Sequence, residues 1–308
     1  MAATRTMPLA PVQRRRSRLL WSEQRDGWLF FAPWLIGFLW FTAGPLLYSV
    51  YLLFVRWDFM NPPKWVGVEN FQKLASDELV GVSLYATSYY TFLAVPLQIA
   101  VALLLALALN RQLRGIRLFR AIFYIPSIVP AIAMAVTWVQ IFNPTYGILN
   151  TAIRLVGLPE QRWLLFPDST RNVFVLISLW TIGGQIIIFL AGLNGIPQSL
   201  YEAATTDGAT SWQRFWHITL PLLSPTTFFN LIVGVIASFQ VFTQAFVLTK
   251  GGPQNATLFF VLYIYDTGFV QFQMGYAAVL SWSLFLIILF FTIVQFRLAG
   301  RWVYYEVS

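Results

Sequence analysis

Side chains that commonly carry out chemistry are few in this sequence, and their spacing matches no catalytic pattern. The 308 residues include 12 acidic residues, a single histidine and no cysteine. A transition-metal site would have to rest mainly on carboxylates. The glycine-rich motifs G-x-x-x-x-G-K-[ST] and G-x-G-x-x-G, which bind nucleotide phosphates, do not occur. We expect no catalytic residue, no metal site and no cofactor in this chain, and we interpret His217 as an interfacial residue.

Uncharged polar residues remain, and they are suited to hydrogen bonding with a solute. In two apolar segments they recur at spacings that place them on one face of a helix. The residues expected to line a solute path are Ser178, Thr181, Gln185, Asn230, Gly234, Ser238, Gln240 and Val241. The alternative is that these small and polar side chains only pack helices together, as is common in membrane proteins.

The elements that must position these residues are membrane-spanning helices. The chain is 58% hydrophobic and only 10% charged, too apolar for a water-soluble domain. Six long windows carry no charged residue, and each exceeds the roughly 20 residues that a helix needs to cross a bilayer. We predict an all-α polytopic membrane protein with six transmembrane helices, near 28–54, 84–108, 119–142, 172–193, 222–248 and 277–297.

The distribution of basic residues predicts the orientation. One side of the membrane receives 13 lysines and arginines and the other side 7, so both termini are expected in the cytoplasm. We divide the chain into a basic cytoplasmic N-terminus over 1–27, a membrane domain over 28–300 and a cytoplasmic tail over 301–308. All 12 acidic residues lie outside the predicted spans, which argues against a proton relay or cation coupling. The net charge of +8 is explained by topology, so we expect no nucleic-acid partner.

The loop over 195–221, between the fourth and fifth spans, is long and polar. Ser199 with Glu202 matches a capping box that would start a helix, and Gly208 suits the left-handed turn that would end it. Thr210 with Gln213 repeats the capping box. We predict two short helices with a glycine elbow on the cytoplasmic face. Their residues fit either an amphipathic hairpin in the headgroups or a knob that enters a groove on a cytoplasmic partner.

The same loop resembles a known sequence family. The pattern is Glu202-Ala203-Ala204-x-x-Asp207-Gly208-Ala209 followed by Ile218-x-Leu220-Pro221. It is similar to the EAA loop of permease subunits of binding-protein-dependent ABC importers. Gly251-Gly252-Pro253 after the fifth span and Gly67-Val68-Glu69-Asn70-Phe71 in the first outer loop resemble the carbohydrate branch, in its maltose and glycerol-phosphate type of first permease. The similarity covers roughly residues 28–300.

The resemblance implies function, partners and site residues. It implies a permease subunit in a prokaryotic inner membrane that forms half of a sugar pathway, paired with a second and different permease. Two ATPase subunits would hold ATP and magnesium, and an extracytoplasmic binding protein would deliver the sugar. The residues implied to couple to the ATPase are Glu202, Ala203, Ala204, Asp207 and Gly208, with Glu202 capping the helix. Gly251, Gly252 and Pro253 would form an external gate or contact the binding protein, although such a segment is also an ordinary turn.

Two other classes of protein fit the residues less well. A secondary transporter or channel acting alone is opposed by the lack of carboxylates within the spans and by the alanine-rich elbow. A membrane-embedded enzyme is opposed by the lack of an acid, base or metal cluster within the spans.

Overall fold

A computed structural model of the protein describes residues 16–111 and 114–304, with the side chains of residues 16–20 and 22 left out. The predicted cytoplasmic segments over 1–27 and 301–308 therefore lie partly outside the described residues. The described chain divides into two compact units, one ending at Leu52 and one starting at Leu53.

The first unit is a helical rod. It consists of α1 (Arg16–Phe38), a π-helical turn (Leu39–Ala43) and α2 (Gly44–Leu52). Residues Glu23–Leu52 form one apolar run of 30 residues, long enough to cross a membrane. The wide π turn comes directly before Gly44 and Pro45. Because proline has no amide proton to donate, a local π turn accommodates it without a sharp kink.

The second unit opens with a small structure that the sequence did not predict. Strands β1 (Val55–Arg56) and β2 (Lys64–Trp65) pair antiparallel, and α3 (Glu69–Ser76) follows. The buried amide of Asn70 donates to the carbonyl oxygens of Leu53 and Val55, both at 3.0 Å. This amide fixes α3 against the first strand.

Helix α4 (Glu78–Leu109) is the long central element of the second unit. The Asp77 carboxylate caps it by accepting a hydrogen bond of 2.9 Å from the amide of Leu79. We call the side of the unit that holds Asp77 the outer side and the side that holds Leu109 the inner side. These labels follow the orientation expected from the charge count.

The third and fourth predicted spans are bent rather than straight. Helices α5 (Ile116–Ile128) and α6 (Ala131–Ile141) meet at 98°, and α8 (Pro167–Ser178), a 3-10 turn and α9 (Gly183–Gly195) meet at 49°. Among the described residues, four helices are long enough to cross a membrane, and the number is six if each bent pair is one span. The first bend falls at Val129–Pro130 because a residue before proline is driven out of helical geometry.

At the second bend, between α8 and α9, glycine permits the close approach of two neighbouring helices. A Cβ added at Gly183 would lie 2.6 Å from the carbonyl oxygen of Phe123, so only glycine lets α9 pack directly on α5. A Cβ at Gly192 would lie 2.5 Å from Thr226 Oγ1 on the fifth span. Packing through small residues replaces the hydrophobic effect, which is weak between helices in lipid.

Between the two bent pairs lies α7 (Ile148–Leu155), held by a single buried amide. Asn150 donates to the carbonyl oxygens of Pro144 and Gln161, both at 2.9 Å. Its own oxygen accepts from the amide of Gln161 at 3.2 Å and from the indole of Trp163 at 3.0 Å. One side chain thus closes the outer loop between the third and fourth spans.

The remaining elements follow the inner loop. They are α10 (Gln198–Thr206), α11 (Ser211–Arg214), a π turn (Phe215–Thr219), α12 (Leu220–Leu222), α13 (Ser224–Phe239), α14 (Thr243–Leu248), α15 (Phe260–Tyr265), a π turn (Asp266–Val270) and α16 (Met274–Ala299). The chain then folds back, and the amide of Tyr304 donates to Ser224 Oγ at 2.8 Å. An outer core around Phe174, Phe239 and Phe259 and an inner core around Phe189 and Leu223 hold the helices together.

Candidate functional site

A cavity of 410 Å³ lies between the helices of the second unit. Its walls come from α4, from α5 near its end, from the junction of α8 with α9, and from α13 and α14. The lining residues are Tyr90, Gln98, Ser127, Ser178, Thr181, Ile182, Gly184, Gln185, Ile188, Asn230, Val233, Gly234, Ala237, Ser238, Val241 and Gln244.

Seven of the eight residues expected to line a solute path reach this cavity. They are Ser178, Thr181, Gln185, Asn230, Gly234, Ser238 and Val241. Gln240 is not among the lining residues; it follows the end of α13 at Phe239 and is exposed. The first stripe was predicted on one continuous helix, but it crosses the bend between α8 and α9 and still converges on the cavity.

Several of these polar groups already have partners within the protein. Ser178 Oγ donates to the carbonyl oxygen of Val175 at 2.6 Å. Ser238 Oγ approaches both the carbonyl oxygen of Val235 at 2.8 Å and Thr91 Oγ1 at 2.9 Å, which ties α13 to α4. For these two serines the contacts match the helix-packing interpretation, since their hydroxyl groups are buried and satisfied.

Two glutamine side chains of the lining have an oxygen atom that accepts no hydrogen bond. Gln185 donates to Gln98 Oε1 over a long 3.4 Å, and its own Oε1 is buried with no hydrogen-bond partner. Gln244 Oε1, also in the lining, is likewise buried and unpaired. A buried acceptor without a partner costs free energy, so a hydroxyl donor would be bound favourably once these side chains turned their oxygens into the cavity. Thr181 is exposed within the same region.

Sequence reasoning missed four polar lining residues: Tyr90, Gln98, Ser127 and Gln244. Gln98 stands as a polar side chain within the apolar second span, and that isolation was a usable signal. Ser127 sits beside Pro126 and close to the break at Pro130. Gln244 follows the interruption of the fifth span, where helical periodicity no longer predicts which way a side chain points.

The inner loop begins differently from the sequence prediction. Helix α10 starts at Gln198 directly after Pro197, and its N-cap makes no side-chain hydrogen bond. The capping box of Ser199 with Glu202 is therefore wrong, because Ser199 already lies inside the first turn. Proline has a fixed φ and no amide to satisfy, so it starts the helix without a side-chain cap. Glu202 lies in the middle of α10, and its carbonyl accepts from Thr206 Oγ1 at 3.0 Å.

The end of α10 agrees with the prediction. Gly208 has a φ of +79°. The amide of Gly208 donates to Thr205 at 3.1 Å, and the amide of Ala209 donates to Ala204 at 2.9 Å. These two hydrogen bonds define a Schellman motif, whose left-handed position favours glycine. The glycine elbow is thus a fixed turn in this structure.

The second short helix is capped as predicted. Thr210 Oγ1 accepts from the amide of Gln213, and Gln213 Oε1 accepts from the amide of Thr210 at 2.8 Å, which completes a capping box. Trp212 in this helix and Phe215 and Trp216 just after it form an aromatic cluster with ring centroids 5.4 to 6.0 Å apart, one pair stacked and two pairs edge to face. The ring of Trp212 is 69% exposed, so this aromatic cluster offers a large apolar surface.

The five residues expected to meet an ATPase lie together on the surface. Glu202, Ala203, Asp207 and Gly208 are exposed and Ala204 is half-buried. Beside them a groove of 380 Å³ is lined by residues of both short helices, namely Ala204, Asp207, Gly208, Ala209, Gln213, Arg214, His217 and Ile218. His217 Nδ1 lies 2.9 Å from the carbonyl oxygen of Gln213, within its own helix.

The Gly251–Pro253 segment at the outer side is a compact turn. Gly251 has a φ of +88° and is buried against Leu258 and Leu262. Thr257 Oγ1 donates to the carbonyl oxygen of Gly252 at 2.7 Å, which closes the turn. The peptide bond between Gly252 and Pro253 is cis. Gly251 is buried in this chain, whereas Gly252 and Pro253 are half-buried.

A carboxylate joins three elements on the outer side. Asp77 Oδ2 accepts from the phenol of Tyr263 and, at 2.5 Å, from the phenol of Tyr276. Burial alone would raise the pKa of Asp77, but these two hydrogen bonds, together with the hydrogen bond from the Leu79 amide and the charge of Lys73, hold the pKa below its usual value. Lys73 lies 4.3 Å above the ring of Tyr276. The start of α4, α15 and the start of α16 are therefore tied together.

No candidate metal centre appears within residues 16–111 and 114–304, since no three acidic or histidine side chains gather there. What the described residues do provide is a cavity between membrane helices, lined in part by uncharged polar groups, and an exposed inner loop. These two features are typical of a membrane transport protein.

Comparison with known proteins gives the family. Residues 98–304 match the family model described as the binding-protein-dependent transport system inner membrane component. The chain belongs to this family. It is thus a multi-pass, non-catalytic permease subunit of a binding-protein-dependent ABC importer, which removes the interpretation as a transporter acting alone.

Individual relatives agree over nearly the whole length. The chain is 39% identical to the probable ABC transporter permease protein YesP of Bacillus subtilis, over 95% of this chain and 96% of that protein. It is 35% identical to the trehalose/maltose transport system permease protein MalF of Thermococcus litoralis, over 92% of this chain and 97% of that protein. It is 36% identical to the sn-glycerol-3-phosphate transport system permease protein UgpA of Agrobacterium fabrum, over 90% and 96%.

A solved structure shares the fold. A chain of a bacterial alginate ABC transporter, crystallised with an alginate pentasaccharide-bound periplasmic protein, superposes with a TM-score of 0.82. The alignment covers 94% of this chain and 99% of that chain, at 24% sequence identity.

Proposed function

We propose that this permease imports an uncharged sugar, as a mono- or oligosaccharide, through a pathway of which it forms half. The observation that carries the proposal is the lining of the 410 Å³ cavity, where hydroxyl and amide groups occur and no residue is charged. Sugars are recognised through hydroxyl and amide partners in such cavities. The side-chain oxygens of Gln185 and Gln244 lack a partner in the described protein and are buried, so a sugar would bond to them after these side chains turned into the cavity.

The absence of charged residues from the cavity lining helps to choose among the solutes that the relatives' names give. The relatives' names include trehalose and maltose, arabinooligosaccharides and glycerol-3-phosphate. A phosphate is usually met by arginine, lysine or a helix N-terminus. Because this chain contributes no cationic side chain to the cavity lining, we favour a neutral sugar over a phosphate ester.

The inner loop supports the proposed partners. We place one of two ATPase subunits, which hold ATP and magnesium, against Ala203, Ala204 and Gly208 of this chain, with Glu202 and Asp207 beside them. Small side chains allow a partner to approach the backbone of α10 closely, and the Schellman turn gives that surface one fixed shape. Closure of the ATPase dimer would push on this loop and rock the spans, a rigid-body form of alternating access.

The remaining assignments complete the topology. We propose that a second, different permease supplies the other half of the pathway and that both termini lie in the cytoplasm. Residues 28–300 form the membrane domain of this arrangement, with residues 1–27 and 301–308 inside the cell. The turn at Gly251, Gly252 and Pro253 would stiffen the outer end of the fifth span as part of an external gate. A binding protein would meet the exposed outer surface around it.

Reconstitution tests the proposal. The complete complex in liposomes, with its binding protein outside and ATP inside, is supplied with radiolabelled maltose, trehalose, an arabinan oligosaccharide or sn-glycerol-3-phosphate. We expect ATP-dependent uptake of at least one of the three sugars and none of the phosphate ester. Uptake of the phosphate ester alone, or uptake of a sugar without ATP, would contradict the proposal.

A further inference from the structure

Four side chains of the inner loop form a closed ring of hydrogen bonds. Thr205 Oγ1 donates to the carbonyl oxygen of Tyr201 at 2.7 Å, and Arg214 Nη1 donates to Thr205 Oγ1 at 2.9 Å. Thr219 Oγ1 donates to the carbonyl oxygen of Arg214 at 3.4 Å. Tyr201 Oη lies 2.9 Å from Thr219 Oγ1 and returns the ring to its start. Tyr201 and Arg214 are therefore connected by two routes, one through Thr205 and one through Thr219.

Donor and acceptor roles within the ring are consistent. The single proton of the Thr219 hydroxyl goes to the carbonyl oxygen of Arg214, so the phenol of Tyr201 is the donor to Thr219. Thr205 donates its proton to the Tyr201 carbonyl oxygen and accepts from the guanidinium of Arg214. The Arg214 contact is charge-assisted and so stronger than a neutral hydrogen bond. Arg214 Nη2 also reaches Ser211 Oγ at 3.1 Å, which fixes the orientation of its fork.

The ring spans the glycine elbow. Tyr201 and Thr205 belong to α10, before Gly208, whereas Arg214 belongs to α11 and Thr219 to the π turn that leads into the fifth span. Thr219 is buried, with 6% of its surface exposed. The backbone joins α10 to α11 through the short segment 207–210, whose turn is held by the two Schellman hydrogen bonds. The ring adds side-chain hydrogen bonds that brace this connection from the side.

We infer that Tyr201, Thr205, Arg214 and Thr219 are positioning residues that lock the two short helices and the base of the fifth span into one rigid lever. The inference rests on the proposed docking of the ATPase on α10. A push on Ala203 and Ala204 moves the fifth span only if α10 does not rotate independently. The fifth span carries Asn230, Gly234 and Ser238 into the cavity, so the ring links the docking surface to the solute path.

The test removes hydroxyl groups with little change of shape. Tyr201→Phe and Thr219→Val each break the Tyr201–Thr219 contact, and Thr219→Ser restores the hydroxyl. Thr292→Val is the matched control, because Thr292 Oγ1 makes a similar 2.8 Å hydrogen bond to Ile288 in the sixth span, outside the ring. Each variant is built into the full complex in liposomes, with maltose, trehalose and the arabinan oligosaccharide as probes. Uptake, ATP hydrolysis and ATPase retained after purification are measured together.

Loss of one hydrogen bond shifts an equilibrium by about fivefold. We therefore expect Tyr201→Phe and Thr219→Val to retain the ATPase and to hydrolyse ATP, while the sugar carried per ATP falls by about fivefold. Thr219→Ser and Thr292→Val should keep the wild-type ratio. The double variant should be no worse than Thr219→Val, since the contact that Tyr201→Phe removes is already absent from that variant.

Two results would overturn the inference. An unchanged ratio of sugar to ATP in Tyr201→Phe and Thr219→Val shows that the ring does not transmit the motion. Loss of the ATPase from the same variants shows that the ring only maintains the docking surface. Failure of the docking proposal looks different, since Gly208 variants would then also keep full ATPase binding and full transport.

A second measurement needs no sugar. The chain has no cysteine, so spin labels can be attached to new cysteines at the exposed positions Ser199 on α10 and Phe229 on α13. In the complex, the wild-type distance distribution between these labels should stay narrow when ATP is added. In Tyr201→Phe and Thr219→Val it should broaden, while Thr292→Val stays narrow. An unbroadened distribution in the ring variants would contradict a bracing role.

Discussion

Substitution of Gly208 isolates the backbone geometry of the inner loop. Gly208 has a φ of +79°, and a Cβ added there would meet nothing within 4 Å. Gly208→Ala therefore creates no clash inside this chain, and its whole intramolecular cost is the left-handed conformation, about 1–2 kcal/mol for a residue with a Cβ. That cost corresponds to a factor of about 5–30 in the population of the correctly turned loop. We expect ATP-driven uptake by the reconstituted complex to fall by a similar factor.

Asparagine at the same position separates two explanations. Asparagine tolerates the left-handed conformation better than alanine but is larger. If the turn itself is what the ATPase requires, Gly208→Asn should transport more than Gly208→Ala. If close approach of the partner dominates, the order reverses. Full uptake in both variants, with normal amounts of complex in the membrane, would refute the reasoning about this loop.

Three further predictions concern the cavity and the outer side. Gly184 lines the cavity with open space around it, so the ring in Gly184→Phe should fill the cavity and lower sugar uptake by about tenfold or more. Gly81 is equally open but lies outside the cavity, so Gly81→Phe should leave uptake unchanged. A Cβ at Gly275 would collide with the carbonyl oxygen of Val55, so Gly275→Ala should destabilise the second unit by about 1–3 kcal/mol, seen as a lower unfolding temperature in detergent than that of Gly81→Ala. Because the pKa of Asp77 is lowered in the folded protein, its stabilising effect is full above the unfolded pKa of about 3.9 and is lost as the pH falls through the lower folded value. The difference in unfolding temperature between wild type and Asp77→Asn should therefore be full at pH 7, begin to shrink below about pH 4 and vanish only below the folded pKa.

Apolar length predicted the spans well but not their shape. A charge-free window reports that a segment can lie in the bilayer, and α4 and α16 are single helices as expected. The same windows do not report bends. Val129–Pro130 did carry a local signal for the 98° bend, since proline disfavours a helical residue before it. The 49° bend after Ser178 has no proline, and tertiary packing at Gly183 accompanies it.

Helical periodicity located most of the cavity, although only Asn230, Gly234 and Ser238 lie on one regular helix and the first stripe crosses the bend between α8 and α9. Gln240, just past the end of α13, does not line the cavity, and helical periodicity could not include Gln244, which lies past that interruption. It also could not tell which polar groups were already satisfied. Ser178 and Ser238 matched the pattern best but are hydrogen-bonded within the protein, whereas Gln185 keeps an unpaired oxygen.

The local sequence pattern predicted the end of α10 at Gly208 correctly but placed its start wrongly. Glycine at position 208 has a conformation that few residues share, so its prediction was specific. The Ser199–Glu202 spacing matches a capping box but depends on where the helix begins, and Pro197 moved that start to Gln198. The ring through Tyr201 and Arg214 joins residues on both sides of a turn, which no single-helix pattern predicts.

Chemical labelling of α10 tests the central claim that an ATPase grips this loop. The chain contains no cysteine, so Ala203→Cys, at an exposed position, would be the single reactive thiol, and Gly300→Cys at the inner end of α16 is the control. In the permease freed of its ATPase, a maleimide applied from the inner side should label both positions. In the assembled complex, the thiol at position 203 should be protected from the maleimide, and the thiol at position 300 should still be labelled. Equal labelling of position 203 in the free permease and in a complex that is actively transporting sugar would contradict the account.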